Sequence, residues 1–267
     1  MEGIKKITHA MEMVSAARMR PLQRLLSSQE EYFSRIEDLL FRVLGGCEDI
    51  QHLLLSDKKN KQRRLICIFS SDTGLCGNYN GALISKAEDF IIQNQGFQTS
   101  LLIVGRKGLN HFKKRGLSIE NSYAELYGHY SSELANKVSR EIIAIFLSGK
   151  IDEVYAVYTT PLRHEPVIEK ILNVERKNNE RVEYITEPDR EKILDRLIPL
   201  YVSAKIGIIL LRSFAAENSS RTMAMHEATN NAKDLLDDLV LARNKIRQGG
   251  ITTEIIDIIS AVNAMKG

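Results

Sequence analysis

The sequence predicts an α/β protein in which the two terminal helices form an antiparallel coiled coil attached to a Rossmann-like central α/β domain. Apolar residues recur at alternating intervals of three and four near both ends of the chain, which is the spacing of a coiled-coil seam. Between the ends, short β-rich segments alternate with helical ones, and this alternation is typical of a parallel sheet. The stretch 200–267 contains no proline, so a single long helix can run through it.

These patterns divide the chain into four parts. The predicted order is an N-terminal shaft helix over 1–44, a linker over 45–62, a central foot domain over 63–187 and a long C-terminal shaft helix over 188–267.

The N-terminal helix is predicted from two apolar stripes. The first has the spacing 3-4-3 and contains Ile4, Ile7, Met11 and Val14. After a skip, the second continues with alternating spacing through Leu22, Leu26, Gln29, Phe33, Ile36, Leu40 and Val43. Gly45-Gly46 should end the helix. Pro21 falls inside it and should kink it, at a cost of about 3 kcal/mol if the hydrogen bond to the preceding turn is lost.

The C-terminal helix is expected to begin near the Thr186 to Asp189 capping spacing and to restart at Pro199, because proline favours a first turn. From there to Met265 it would be about 100 Å long, too long to be buried in a chain of this size. It should therefore project and need a partner. Its seam is predicted at Ala228, Ala232, Leu235, Leu239, Ala242 and Ile246, and beyond Gly249-Gly250 at Ile251, Ile255, Ile258, Val262 and Met265.

The middle of the chain predicts a parallel sheet. The segments 64–71, 99–105 and 152–160 are rich in β-branched and aromatic residues, and helical patterns lie between them. "EPVIEKILNVE" and "RVEYIT" are expected to add antiparallel strands.

Composition excludes several classes of protein. A net charge of +3 is too small to indicate a nucleic-acid partner. The three cysteines, Cys47, Cys67 and Cys76, include no C-x-x-C pair, which favours unpaired thiols in a reducing compartment. The N-terminus lacks the apolar core of a signal peptide, and the run Ile206–Leu211 is too short to span a bilayer. The chain is therefore expected to be cytosolic or bound peripherally to a membrane.

The segment "SSDTGLCGNYN" (70–80) resembles a site but lacks the residues of one. Its glycines do not follow G-x-G-x-x-G or the P-loop pattern, and Asp72-Thr73-Gly74 occurs once, whereas an aspartic protease needs two carboxylates. We interpret Asp72, Gly74 and Gly77 as a structural turn between a strand and a helix. No spacing typical of a metal site or a catalytic group is present, so no cofactor or metal is expected.

Three blocks together resemble the gamma subunit of the F-type ATP synthase, with its bacterial form as the best match. They are "KKITHAMEMVSAARMR" (5–20), "SSDTGLCGNYN" (70–80) and "MAMHEATNNAKDLLDDLVLARNKIRQGGITTEIIDIISAVNAM" (223–265). The occurrence of matching blocks at both ends is specific, whereas the glycine-rich turn alone would not be.

The resemblance implies a non-catalytic rotor shaft that binds no nucleotide and no nucleic acid. Its partners would be the hexameric ring of alpha and beta subunits, the epsilon subunit and the membrane c-ring. It would lie peripherally on the cytoplasmic face of the bacterial membrane. Proton flow would turn the shaft and change the nucleotide affinities of the beta sites. By motif position, the residues that contact the ring would be Met13, Val14, Arg247, Gln248, Thr252 and Glu254.

The chain also departs from the family pattern. It is expected to begin two to five helical turns late, Thr73 replaces an arginine, and Gly249-Gly250 should soften the shaft. Two alternatives remain open: a coiled-coil interaction or signalling protein with an α/β sensor domain, and a Rossmann-type oxidoreductase with a dinucleotide site near Gly74.

Overall fold

The computed structural model describes residues 1–45, 54–55, 61–174, 187 and 189–264. Two long helices, α1 (Glu2–Gly45) and α5 (Arg190–Ala264), enclose the rest of the chain in sequence. Between them lie β1 (Arg63–Phe69), α2 (Tyr79–Gln93), β2 (Gln98–Val104), α3 (Arg106–Lys114), β3 (Ser118–Tyr123), α4 (Ser132–Leu147), β4 (Glu153–Thr159) and β5 (Pro166–Leu172). The predicted fold class is confirmed.

The described strands form a five-stranded sheet of order β3-β2-β1-β4-β5. β1 pairs in parallel with β2 and with β4, and β5 is antiparallel to β4. The strand predictions for β1, β2, β4 and β5 are therefore confirmed. β3 was not predicted from the sequence, because "SIENSY" lacks a run of β-branched residues and the strand pairs only with β2 at the sheet edge. "RVEYIT" and Thr186 lie outside the described residues.

The lower half of the shaft packs as predicted. Leu22, Leu26, Ile36, Leu40 and Val43 of α1 are buried in one core with α5. Their 4-3 spacing keeps them on one face of the helix, and α1 continues through Pro21, which is exposed.

The prediction for the upper half of the α1 seam was wrong. Ile4, Ile7 and Val14 are each more than half exposed. The face of α1 that meets α5 instead carries Thr8 and Ser15, with Ser15 only 3% exposed. Thr8 Oγ1 lies 2.8 Å from Thr229 Oγ1. Small polar side chains let the two backbones approach closely, so the helices meet at residues that a purely apolar pattern does not select.

α5 is one helix from Arg190, so the expected restart at Pro199 was wrong. Pro199 lies nine residues, or about two and a half turns, inside the helix, and its missing N–H removes one intrahelical hydrogen bond. Above the contact of α5 with the first turns of α1, no other segment that the structure describes covers the helix. The predicted seam residues Leu235, Leu239 and Ile246 are therefore exposed, by 43%, 48% and 77%. We call residues 237–264 the free segment; its length is about 42 Å.

By length and composition alone, one window of α5 could span a membrane. That window is 67% buried inside the protein, which is typical of the core helix of a folded domain.

A buried carboxylate closes the amino end of the sheet. Glu153 is 4% exposed at its side chain and lies 2.9 Å from Arg64 Nε, 3.2 Å from Lys61 Nζ and 3.4 Å from Lys170 Nζ. Burial raises the pKa of this carboxyl, but hydrogen bonds from Arg64 and Lys61 and the charge of Lys170 outweigh it. The pKa therefore lies below its usual range, and Glu153 remains ionised.

Candidate partner interface and neck

Four of the predicted interface residues lie on the free segment. Arg247, Gln248, Thr252 and Glu254 are all exposed. The Thr252 hydroxyl donates to the Gln248 carbonyl at 2.9 Å, so it bonds within its own helix. The long polar side chains of Arg247 and Gln248 extend from the same turn and are accessible to another molecule.

Aliphatic side chains surround these polar residues. They are between 45% and 77% exposed and comprise Leu241, Ile246, Ile251, Ile255, Ile256, Ile258, Ile259 and Val262. A contiguous apolar surface of this kind on a folded protein marks an interaction site. Because no described part of the chain covers them, we expect these aliphatic side chains to be buried against another chain.

Met13 and Val14 form a separate group lower on the shaft. They are 50% and 51% exposed on α1. Their neighbour Glu12 lies 3.0 Å from His226 of α5, which fixes their level on the shaft. Arg247 is 21 positions further along α5, or about 32 Å higher. The six predicted interface residues therefore form two surfaces at different heights.

The predicted turn is a hub of backbone hydrogen bonds. The Asp72 carboxylate is 7% exposed as a residue and accepts four backbone N–H groups, at 2.6 to 3.0 Å. One comes from Arg106 at the start of α3, and the others come from Glu125, Leu126 and Tyr127 after β3. Asp72 thus caps α3 and orders the segment after β3 at the same time.

Only one of the two predicted turn glycines has a left-handed backbone. Gly77 has φ +57°, but the other left-handed residue in the turn is Leu75 (φ 61°), and Gly74 is not left-handed. Among the described glycines, the tightest contact with backbone occurs at Gly105, which was not predicted. There φ is +96°, and a Cβ would lie 2.1 Å from the Ser70 carbonyl oxygen.

A polar stripe on α5 contacts this turn. Ser213, Glu217 and Arg221 are four residues apart on one helix face, and all are buried. The Ser213 hydroxyl donates to the Phe69 carbonyl at 3.0 Å. Arg221 donates to Thr73 Oγ1 at 2.9 Å, to the Gly74 carbonyl at 3.3 Å and to Glu217 at 2.8 Å. We call this contact the neck, because here the two-helix shaft joins the foot.

Burial controls the ionisable groups at the neck. It raises the pKa of the Glu217 carboxyl, although the charge of Arg221 opposes the shift. It also raises the pKa of the Cys76 thiol and of the Tyr79 phenol. The Cys76 thiol is therefore protonated and poorly reactive at neutral pH. This environment is unsuited to nucleophilic or redox chemistry.

α5 occupies the crevice in which related folds bind ligands. In an open α/β sheet, ligands bind at the carboxyl ends of the strands where the strand order reverses, which here is between β1 and β4. At that point Ser213 contacts the end of β1, and Ala216 packs against Cys76 and Tyr79. No group of three metal-ligating side chains occurs among the described residues.

Sequence reasoning missed the neck residues. Their signal was the recurrence of polar residues at intervals of four, Ser213, Glu217 and Arg221, after the apolar run Ile206–Leu211. A polar stripe in a long helix is usually assigned to solvent, so its burial could be recognised only once the sheet was placed against it.

Comparison with known proteins gives a consistent result. A family model described as ATP synthase matches residues 1–265. The chain is 32% identical to an ATP synthase gamma chain of Protochlamydia amoebophila, covering 99% of this chain and 95% of the relative. It is 35% identical to the gamma chain of Pelotomaculum thermopropionicum, with the same two coverages.

Solved structures agree at the level of the fold. The chain resembles the central stalk of the Tetrahymena thermophila mitochondrial ATP synthase, with a TM-score of 0.64 and 22% identity over 84% of this chain and 99% of the other. It also resembles a chain of the Euglena gracilis enzyme, with a TM-score of 0.56 and 12% identity over 99% and 95%. Neither the signalling nor the oxidoreductase alternative has support among these relatives.

Proposed function

Since the chain belongs to the ATP synthase gamma chain family, we propose that it is the central rotor stalk of an F-type ATP synthase. In this role it turns with the membrane c-ring, driven by proton flow. The rotation carries the catalytic beta subunits through their conformational cycle for ATP synthesis or hydrolysis. Its partners are the ring of alpha and beta subunits, the epsilon subunit and the c-ring.

The free segment is the observation that supports this proposal most directly. It is a single exposed helix whose aliphatic side chains cover much of its circumference. A rotating shaft needs such a surface, because apolar contacts are non-directional and impose no single preferred orientation. The foot at the opposite end provides a separate body for the c-ring and epsilon.

We further propose that the chain is a non-catalytic subunit and binds no nucleotide. The support is the position of α5, which fills the carboxyl-end crevice between β1 and β4. Titration calorimetry of the isolated chain with ATP and with NAD should give no saturable heat. Binding of either ligand in the micromolar range would contradict this part of the proposal.

The peripheral membrane location of the complex follows from the family. We propose the cytoplasmic face of a bacterial membrane for this chain, because gamma chains to which it is 32% and 35% identical are bacterial. Fractionation of cells with an antibody to the chain should recover it with membranes and release it when the soluble sector is stripped off.

Reconstitution tests the proposed function. Mixed with alpha and beta subunits of a bacterial relative, the chain should assemble at one copy per hexamer and raise the ATPase rate. A ring with unchanged mass and rate would refute the proposal.

Arg247→Ala tests the proposed upper interface within the same assembly. It should weaken the binding of the shaft to the ring by about tenfold, the loss expected for one polar contact of about 1.4 kcal/mol. Arg35→Ala is the matched control, since the Arg35 side chain is 76% exposed on the foot half of α1. Equal losses for the two variants would contradict the assignment of Arg247.

A further inference from the structure

The neck joins two bodies through surfaces of very different character. Below Ser213, the buried face of α5 is almost entirely aliphatic and contributes to the main core. At the neck itself the apolar residues of α5 beside Ser213, Glu217 and Arg221 include the small Ala215 and Ala216, both fully buried. Small apolar side chains allow close approach but provide few features that oppose rotation of a helix about its axis.

Directional bonds provide what the alanines do not. Arg221 reaches the turn after β1 at two successive residues, Thr73 and Gly74, and Glu217 holds the guanidinium from one turn below. A planar guanidinium with three fixed acceptors tolerates little rotation. In some proteins a buried polar group specifies a single packing register.

We propose that Glu217 and Arg221 are positioning residues that hold α5 in one rotational setting in the foot, so that torque passes between the shaft and the foot without slip. This inference rests on the proposed function as a rotor stalk. In this proposal the turn at 70–80 is the part of the foot to which the polar stripe of α5 binds.

The environment of Glu217 argues against a role in stability alone. Its side chain is 2% exposed, and within the described residues its Oε2 atom has no hydrogen-bond partner. Asp72 adds a second negative charge nearby, while Arg18 of α1 contributes a positive one. A carboxylate that is half satisfied and buried is costly, so an isosteric neutral residue should be tolerated by the fold.

The test uses the complete ATP synthase, reconstituted in liposomes with wild-type chain or with Glu217→Gln. ATP-driven proton pumping is followed to its steady state, and ATP hydrolysis is measured with the gradient collapsed by an uncoupler. Glu217→Gln should hydrolyse ATP at the wild-type rate without load. The maximal proton gradient should fall at least twofold, because only a loaded shaft slips at the neck.

Glu31→Gln is the matched control. Glu31 and Arg35 form an ion pair with the same spacing of four residues at 2.6 Å, but their side chains are 68% and 76% exposed. This variant should pump to the wild-type gradient. If Glu217 had a purely structural role, Glu217→Gln would reduce assembly, or would reduce ATP hydrolysis and proton pumping together. If Glu217 positions α5, the substitution lowers only the proton gradient reached under load.

Thr73→Val provides a second, milder variant. It removes one acceptor of Arg221 from an exposed residue of the turn, and so should fold and assemble. It should lower the loaded gradient in the same direction but by less than Glu217→Gln. If Glu217→Gln assembles and its gradient is unchanged, the inference is overturned. If Glu217→Gln fails to assemble, an unchanged gradient in Thr73→Val overturns it instead. Failure of the wild-type chain to support pumping would instead overturn the proposed function.

Discussion

Replacement of Asp72 by alanine should be among the most destabilising single changes in the foot. The carboxylate accepts four backbone N–H groups from two segments that are distant in sequence. Alanine accepts none, so the start of α3 and the segment after β3 would lose their common acceptor. The perturbation removes hydrogen bonds without removing any apolar packing.

The magnitude follows from which donors water can reach. Hydrogen bonds to a buried charged acceptor contribute about 1.5–3 kcal/mol each. The N–H groups of Arg106 and Leu126 belong to half-buried residues, whereas Glu125 and Tyr127 are exposed and can be rehydrated. Counting the first two fully gives a loss of about 3–6 kcal/mol, to which the two exposed donors add little. Because a domain is stable by only about 5–15 kcal/mol, the foot would be marginal.

Urea unfolding monitored by circular dichroism measures the loss. Asp72→Asn keeps one acceptor oxygen and should lose about half as much free energy. Asp89→Ala, at an exposed position on α2, serves as control and should change stability by less than about 0.5 kcal/mol. A loss below about 1 kcal/mol for Asp72→Ala would refute the reasoning that these four bonds order the turn.

Three further changes have defined outcomes. Glu153→Gln should cost about 2 kcal/mol at pH 7; because the folded-state pKa is depressed, this stability is present above about pH 4.3 and is lost on acidification. Urea midpoints of the variant and wild type should therefore converge as the pH falls through the depressed pKa of Glu153, and a constant difference would contradict the assignment. Gly105→Ala should cost several kcal/mol, since its Cβ meets backbone at 2.1 Å. Gly96→Ala is the control, because the space around Gly96 is open, and it should cost little. Equal shifts in melting temperature for the Gly105 and Gly96 variants would refute the steric argument. Alanine at both Gly249 and Gly250 should stabilise the free segment by about 1 kcal/mol per residue, seen as slower amide exchange; unchanged exchange there would count against a soft point.

The fold class was predictable because periodicity reports burial when the buried residues are apolar. This holds for Leu22 to Val43 of α1, whose stripe faces the aliphatic face of α5. It fails above Pro21, where Thr8 and Ser15 occupy the contact and Ile4 and Ile7 face outward. There, the two helices meet through close approach and a contact between hydroxyl groups. The spacing of apolar residues in the sequence predicts neither.

The site was less predictable than the fold. The free segment follows from helix length alone, and the family resemblance supplied Arg247 and Gln248, which remain predictions as partner contacts. The neck could not be derived, because the burial of Glu217 and Arg221 depends on a turn about 145 positions earlier in the chain. Intervals of four within one helix indicate a face but do not identify what covers it.

The pairing of the first helix with the last determines the order in which the molecule can form during synthesis. Thr8 and Thr229 are 221 positions apart, and a ribosome adding 5–20 residues per second needs about 10–40 s to bridge them. Throughout that interval both the main core and the apolar stripe of α1, which emerges first, lack the buried face of α5 that covers them. Nascent chains of this protein should therefore depend on a chaperone that shields the N-terminal helix until α5 is complete.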